Sequence, residues 1–501
     1  MAKKLYIFGI GGTGSRVIKS LAMLLASGCR LKNNFETIIP IIIDPDTGNG
    51  DLNRTKDILK LYQEIRNQVN QPDDFFRQEI KTVNELTNKS PVVNSDYFQF
   101  NLDNVNQSTF GQYIGFNSLD DNYKESQDDK NFTRLLYSEQ NLNSNLNVGF
   151  KGNPNMGATV LNQFTDSKDF KKFGQTFVNG DAIFIISSIF GGTGAAGFPL
   201  LLKNLRGNTN IPNIAKIKVS QIGGITYLPY FALDKKDEIN SDSFEDKAKI
   251  AIDYYNRTII EQNKINSIYF IGNKGNTEYM KYAVGGKEQK NNAHFLEMAG
   301  ALAIFDFCEN INKSTNQTEV KEFGIENDSE TIVFGDLNLN DQKEIAKPLT
   351  KYKLFSEYLN IGLPKALNTS RWTKSNIKFV KETENSFLDK QYFSSSEYKI
   401  QIKAFNKHFL EWLNEMEDNK PAFSPYYKIN WGDALNLVKG EETQKRKKSF
   451  QPIDIENCKL ITDINYKSTP KTIHTTLIKL FGKSTENVLK KHNLLKQEKD
   501  V

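Results

Sequence analysis

At 501 residues the chain exceeds the range of one hydrophobic core, so two domains, or one domain with large insertions, are expected. Charged residues make up 25% and apolar residues 38%, an ordinary globular balance, and a net charge of +5 over this length gives no clear nucleic-acid signal. Three cysteines at unrelated spacings, Cys29, Cys308 and Cys458, form neither a disulfide framework nor a zinc set, and no apolar run of about 18 residues gives a membrane signal, so a soluble, cytoplasmic protein is expected.

In chain order, Leu5 to Phe8 is a short apolar run ending at Gly9, the pattern of a buried parallel strand. The loop Gly9-Ile10-Gly11-Gly12-Thr13-Gly14-Ser15 follows. Val17, Ile18, Leu21, Ala22, Leu24 and Leu25 then recur at helical spacing, with Gly28 as a stop. Ile38 to Ile43 reads as the next buried strand and ends in Asp44-Pro45-Asp46. This strand–loop–helix–strand opening predicts a doubly wound nucleotide-binding sheet. Residues from about Asn49 to Gly149 are rich in Asn, Gln, Asp and Lys, and they read as a partly helical surface insertion with a helix over Ile58 to Val69.

A second glycine turn, Gly152-Asn153-Pro154-Asn155-Met156-Gly157-Ala158, closes that segment. Ala182 to Ile189 is a clear strand, followed by Gly191-Gly192-Thr193-Gly194-Ala195-Ala196-Gly197 and an apolar helix through Leu205. Lys216 to Tyr227 and Ile268 to Ile271 give further strand regions, with an amphipathic helix over Phe244 to Ile260 between them. Asn292 to Phe307 reads as a long, buried apolar helix. Beyond about Asn310 the pattern alternates short helical and strand-like pieces, with Ile400 to Met416 the clearest helix. Lys445-Arg446-Lys447-Lys448 reads as a solvated loop, and Thr472 to Lys499 as an exposed, lysine-rich helix.

Glycine lets backbone N–H groups approach phosphate oxygens, since no Cβ stands in the way, and a helix N-terminus behind the loop adds a positive dipole end. Three such loops in one chain point to a single nucleotide held along one sheet edge.

Together the loops resemble those of the tubulin/FtsZ superfamily. Ala182 to Gly197 is similar to that family's strand and G-G-T-G-[S/T/A]-x-G loop, Gly152 to Gly157 to its N-P-x-x-G turn, and Gly9 to Ser15 to its opening G-x-G-G-x-G. The resemblance covers roughly residues 3–50 and 150–310. It implies an α/β, tubulin/FtsZ-like doubly wound nucleotide-binding sheet, a long central helix and a divergent α+β C-terminal domain. The corresponding boundaries are 1–290, with the polar insertion at about 49–149, then 291–310 and 311–501.

The resemblance also assigns parts. Gly11, Gly12 and Gly14, with Thr13 and Ser15 in the same loop, would meet the α- and β-phosphates. Gly191, Gly192, Thr193 and Gly194 would cradle the β- and γ-phosphates, and Gly157 and Ala158 would cap the γ-phosphate. Asp46, with Asp44, would orient Mg²⁺ through water, because Mg²⁺ keeps most of its hydration shell. Asn292 would hydrogen-bond the base. GTP, or ATP, with Mg²⁺ is the implied ligand set, and self-association or a protein partner the implied assembly.

Two departures bear on mechanism. Arg16 stands where FtsZ-like proteins place an Asn on guanine, facing a phosphate or a residue of the insertion. After Phe307 the chain reads Cys308-Glu309-Asn310-Ile311-Asn312-Lys313, without the G-x-x-N-x-D segment whose acidic residue, inserted into the next subunit, polarises the attacking water. Asp306, Glu309 and Asp336 are candidates among which spacing does not select, so no catalytic residue is assigned. Two other readings remain open. Asp44-Pro45-Asp46 with Asp51-Leu52-Asn53-Arg54 also resembles the opening of ThiF-like, ATP-dependent adenylating enzymes. A non-hydrolysing, nucleotide-gated interaction module is the second.

Overall fold

In a computed structural model of the chain, the described residues are 3–69, 72, 74–87, 98–102, 105, 107–150, 152–163, 167–207, 210–233, 244–273, 281–283, 286–287, 289–313, 316–323, 330–368, 388, 390–428, 437–440, 472–491 and 494–495. The opening apolar run forms strand β1 (Lys3–Ile10), buried from Leu5 onward. It passes directly into helix α1 (Gly11–Ala26) through Gly11, whose φ of +71° is a left-handed conformation that side-chain-bearing residues rarely adopt. Strand β2 (Phe35–Ile43) follows, then helix α2 (Gly50–Gln68), capped by Asn49, whose side-chain oxygen accepts from the Asp51 and Leu52 amides. A short strand β3 (Glu79–Ile80) pairs with β2.

The polar segment after Asn49 is therefore not a surface insertion throughout. Ile58, Leu59, Tyr62 and Ile65 of α2 are buried, and β3 is a strand of the main sheet. The charged outer face of α2 masks this in the sequence. Further along, helix α3 (Lys124–Leu136) has no buried residue, so that part does face solvent.

Helices α4 (Pro154–Leu161) and α5 (Lys168–Thr176) lead into strand β4 (Ala182–Ser188), buried at all seven positions, and helix α6 (Gly192–Arg206). Strand β5 (Gln221–Tyr227), helix α7 (Phe244–Tyr255) with a π-helical turn over Asn256–Ile260, and strand β6 (Ser267–Ile271) come next. The long apolar helix α8 (Phe295–Asn310) precedes strand β7 (Glu319–Phe323). Helix α8 opens three residues later than Asn292. His294 caps it, its Nδ1 accepting from the Leu296 amide at 3.0 Å while Glu297 accepts from the His294 amide at 3.1 Å.

The seven strands pair in the order β3-β2-β1-β4-β5-β6-β7, all parallel. Buried on both faces, the central strands read as continuous apolar runs for that reason. Helix α8 lies against the sheet through the Phe307–Phe184 ring pair, with centroids 5.4 Å apart. On the opposite side of the chain's order, Phe173 of α5 packs edge-on against Tyr6 and Phe8 of β1.

Beyond β7 the described residues are mostly helical. Helices α9 (Leu339–Glu357), α10 (Ala404–Glu417) and α11 (Ile473–Lys491) carry their own aromatic contacts. Trp412 of α10 donates its indole N–H to Ser20 of α1 at 3.1 Å, and Phe405 packs on Tyr62 and Phe76. The expectation of an exposed C-terminal helix is corrected here. In α11, Leu477, Ile478, Phe481, Val488 and Leu489 are buried, and Phe481 packs on Phe355 and Tyr358. Lys445 to Lys448 and Cys458 lie outside the described residues.

Candidate functional site

The strand order reverses between β1 and β4, which lie side by side with their C-terminal ends together. In an open α/β sheet the crevice at such a switch point is where ligands bind. Two helices, α1 and α6, start there, each directly from its glycine loop. The loops touch: a Cβ added at Gly11 would lie 3.6 Å from Thr193 Cβ. Between them is a cleft of about 140 Å³ that opens to solvent.

Gly11, Gly12 and Thr13 of the first loop and Gly191 to Gly194 of the third line this cleft. Gly14 does not. A Cβ there would fall 2.4 Å from the Gly9 carbonyl carbon, so Gly14 serves the close approach of α1 to β1. Ser15 is buried behind the loop, donating to the Gly11 carbonyl at 3.3 Å.

The second loop enters by its earlier residues. Gly149, Phe150 and Gly152 line the cleft, whereas Gly157 lies beneath it and Ala158 is exposed outside it. Asn153 caps α4, accepting from the Asn155 and Met156 amides. A Cβ at Gly157 would come within 2.8 Å of the Gly192 carbonyl, so this glycine brings α4 against the third loop.

Asp44 and Asp46 line the opposite wall. Asp44 accepts from the Asp46 amide at 3.0 Å. Asp46 accepts from the Gly48 amide at 3.1 Å and the Gly286 amide at 2.5 Å. Burial pushes the Asp44 carboxyl up to about 7, against the opposing pull of the Asp46 amide and Arg16. Burial also raises Asp46, and the same backbone amides oppose it.

Asn292 is exposed and outside the cleft lining. Its neighbour Asn291 is buried and lines the cleft, donating its backbone and side-chain N–H groups to Asp51 at 3.1 and 3.2 Å. Asn49, Gln289, Phe190, Phe231 and Phe244 also line the cleft. Asn49 donates to Gln289 at 2.6 Å, and the three phenylalanines form ring contacts with one another. Their partners are distant in the chain, and no local pattern marks them.

Arg16 is 1% exposed and turned away from open solvent. Its Nε lies 2.5 Å from Glu297 and its Nη1 3.2 Å from Asp51. Its Nη2 donates to Tyr230 at 3.0 Å. Its guanidinium also lies over the Phe231 ring, 5.7 Å from the centroid. Arg54 is bound to Glu415 at 2.5 Å and to the Asn291 carbonyl at 2.7 Å, and does not line the cleft.

No family profile matches the sequence, and no curated protein does. Among solved structures the chain is similar to CetZ from Methanosaeta thermophila, at 13% identity and a TM-score of 0.30 over 62% of this chain and 54% of that one. It is similar to a helical model of the TubZ-Bt two-stranded filament, at 12% identity and 0.26 over 62% and 54%. A GTPγS-form protofilament of Bacillus thuringiensis serovar israelensis TubZ gives 11% and 0.26 over 61% and 55%. The chain spans about half the length of the solved structures it matches. The doubly wound α/β sheet and long central helix expected from the sequence are the ones observed.

The carboxylates proposed for water activation in a tubulin/FtsZ-like site do not line this cleft. Asp306, nine residues past Glu297 on α8 and so about 14 Å along its axis, accepts from Tyr269 and Lys321, each at 2.6 Å. Glu309 pairs with Lys32, and Asp336 accepts from the Val333 amide. Among the described residues, Cys29 and Cys308 are buried, and burial raises both thiols, Cys29 to about 12, so neither is a poised nucleophile. No helix among the described residues is long and apolar enough to cross a membrane.

Proposed function

We propose that the chain is a tubulin/FtsZ-like nucleotide-binding protein whose cleft takes GTP with Mg²⁺. The observation that carries this is the meeting of two helix N-termini, α1 and α6, at the switch point, with glycines where backbone must approach a ligand. Backbone N–H groups and two dipole ends aimed at one spot favour an anion such as a phosphate chain. The phosphates belong against Gly11, Gly12 and Thr13 on one side and Gly191 to Gly194 on the other, with Gly149, Phe150 and Gly152 closing the end.

Asp44 and Asp46 fit a cation held through water. They are two carboxylates on one wall, Asp44 with a raised pKa that a nearby cation would relieve, and no cage of three or more ligands is found among the described residues. Mg²⁺ there would neutralise charge on the phosphates. Asn291 and Gln289 supply polar edges, and Phe231 an apolar face, for the nucleoside. The proposed organisation is a nucleotide-binding domain over 1–290, a central helix over 291–310 and a C-terminal domain over 311–501. Self-association, with slow hydrolysis, completes the reading.

The adenylating-enzyme alternative loses its phosphate-side arginine, since Arg54 is engaged with Glu415 and Asp51 outside the cleft. Calorimetry with GTP, ATP and NAD in Mg²⁺, on wild type and Thr193→Trp, tests the assignment. GTP binding abolished by the substitution supports it. ATP binding that survives the substitution, or no nucleotide binding by wild type, overturns it. Sedimentation with and without nucleotide then tests assembly.

A further inference from the structure

Beneath the cleft lies a network of three cations, Arg16, Lys19 and Arg54, and three anions, Asp51, Glu297 and Glu415. The side chains of Arg16, Lys19, Asp51 and Glu297 are 2% exposed or less, so each charge needs its partner. Five of the six come from α1, α2 and the first turn of α8. The sixth, Glu415, comes from α10. One Glu415 oxygen accepts from Lys19 at 3.3 Å and from the Ala293 amide at 2.8 Å, and the other from Arg54 at 2.5 Å. Arg54 continues to Asp51 and to the Asn291 carbonyl, and Asp51 holds Arg16 and the Asn291 amide. Arg16 and Asn291 line the cleft.

We propose that Glu415 is a positioning residue for the cleft, so that docking of α10 and occupation of the cleft are energetically coupled. This rests on the nucleotide-binding reading only for its ligand. Without the carboxylate, Lys19 is left buried beside Arg54 with no counter-charge from α10, and the Ala293 amide loses its charged acceptor. Arg54 is then free to leave Asp51, and the segment that presents Asn291 loses its anchor. Coupling of this kind is reciprocal: ligand bound in the cleft must tighten α10 by the factor that α10 tightens ligand.

The test compares hydrogen exchange in wild type, E415Q and W412F, all as the full chain. Trp412 lies on the same helix and bonds Ser20, but does not join the ion network. Without ligand, E415Q is expected to speed exchange at residues 11–16, 49–54 and 289–293, while W412F speeds it only around Ser20 in α1 and in α10. An E415Q effect confined to α10, or the same pattern from W412F, overturns the proposal. With GTP, wild-type α10 is expected to gain protection and E415Q to bind on the order of 5–150-fold more weakly. Equal affinity with no protection of α10 overturns the coupling. If wild type binds no nucleotide, the functional reading fails while the ligand-free comparison still decides the positioning role. If E415Q does not fold, E415D, which keeps the charge but is one methylene shorter, gives the same readouts at smaller amplitude.

Discussion

Arg16 Nε lies 2.5 Å from Glu297 Oε1, which ties the helix behind the first glycine loop to the first turn of the central helix with both side chains out of solvent. Removing one partner of a buried pair leaves an uncompensated charge and costs about 3–5 kcal/mol, whereas replacing both by apolar groups is often close to neutral. Arg16→Met alone is therefore expected to lower unfolding free energy by roughly that amount in urea titrations. Arg16→Met with Glu297→Met should recover only part of the loss, because Asp51 keeps Arg54 and the Asn291 amide but still loses Arg16. A single variant as stable as wild type would mean the pair is not buried in solution.

Asp44 gives a pH dependence with a defined sign. Burial raises its folded pKa from 3.8 to about 7. Between those values the unfolded chain releases the proton while the folded chain keeps it, so raising pH through this window lowers stability, with no further loss above it. Asp44→Asn should flatten that part of the stability profile. Under the proposed reading, Mg²⁺-dependent nucleotide affinity should instead rise as pH passes about 7, because the ionised carboxylate is the form that meets a cation. Calorimetry at pH 6 and pH 8 on both proteins checks it, and the same slope in Asp44→Asn would assign the effect to another group.

Gly157 makes its contribution without lining the cleft. Its absent Cβ lets α4 sit against the Gly192 carbonyl and Ala196. Gly157→Ala is expected to push α4 outward and weaken nucleotide binding by roughly tenfold, about 1.4 kcal/mol. Unchanged affinity would show that the second loop has no part in holding the ligand.

Phe481 tests the packing of α11. Its ring is 2% exposed and 5.0 Å from that of Phe355. Phe481→Ala should cost about 3–5 kcal/mol, measured by thermal or urea unfolding. A cost below about 1 kcal/mol, typical of surface substitutions, would place the helix on the surface, as its lysines suggest in the sequence.

What was legible in the chain follows from where its signals are local. Strands β1, β2 and β4 show as continuous apolar runs because parallel strands are buried on both faces, and two of the three glycine loops sit where the sequence put them. Helix α2 showed only from Ile58 onward and strand β3 not at all, because the first turns of α2 are polar and bury Asp51 and Thr55 inward. Lys479, Lys483 and Lys490 hide the apolar face of α11 in the same way. At the site, Asn291 and Arg16 take their roles from Asp51 and Glu297, partners up to 281 positions away, which no local pattern encodes.

The same ion network has a consequence for the order in which the protein is made. Arg54 and Glu415 are 361 residues apart, so at translation speeds of about 5–20 residues per second the carboxylate emerges roughly 20–70 s after the guanidinium. Until then Lys19 has no partner from α10, and the floor of the cleft is short of one negative charge. A nascent chain can pair β1 with β2 early, yet the finished cleft has to wait until more than four-fifths of the polypeptide has left the ribosome. An amino-terminal fragment ending before α10 would carry all three glycine loops and still lack the Glu415 carboxylate beneath them.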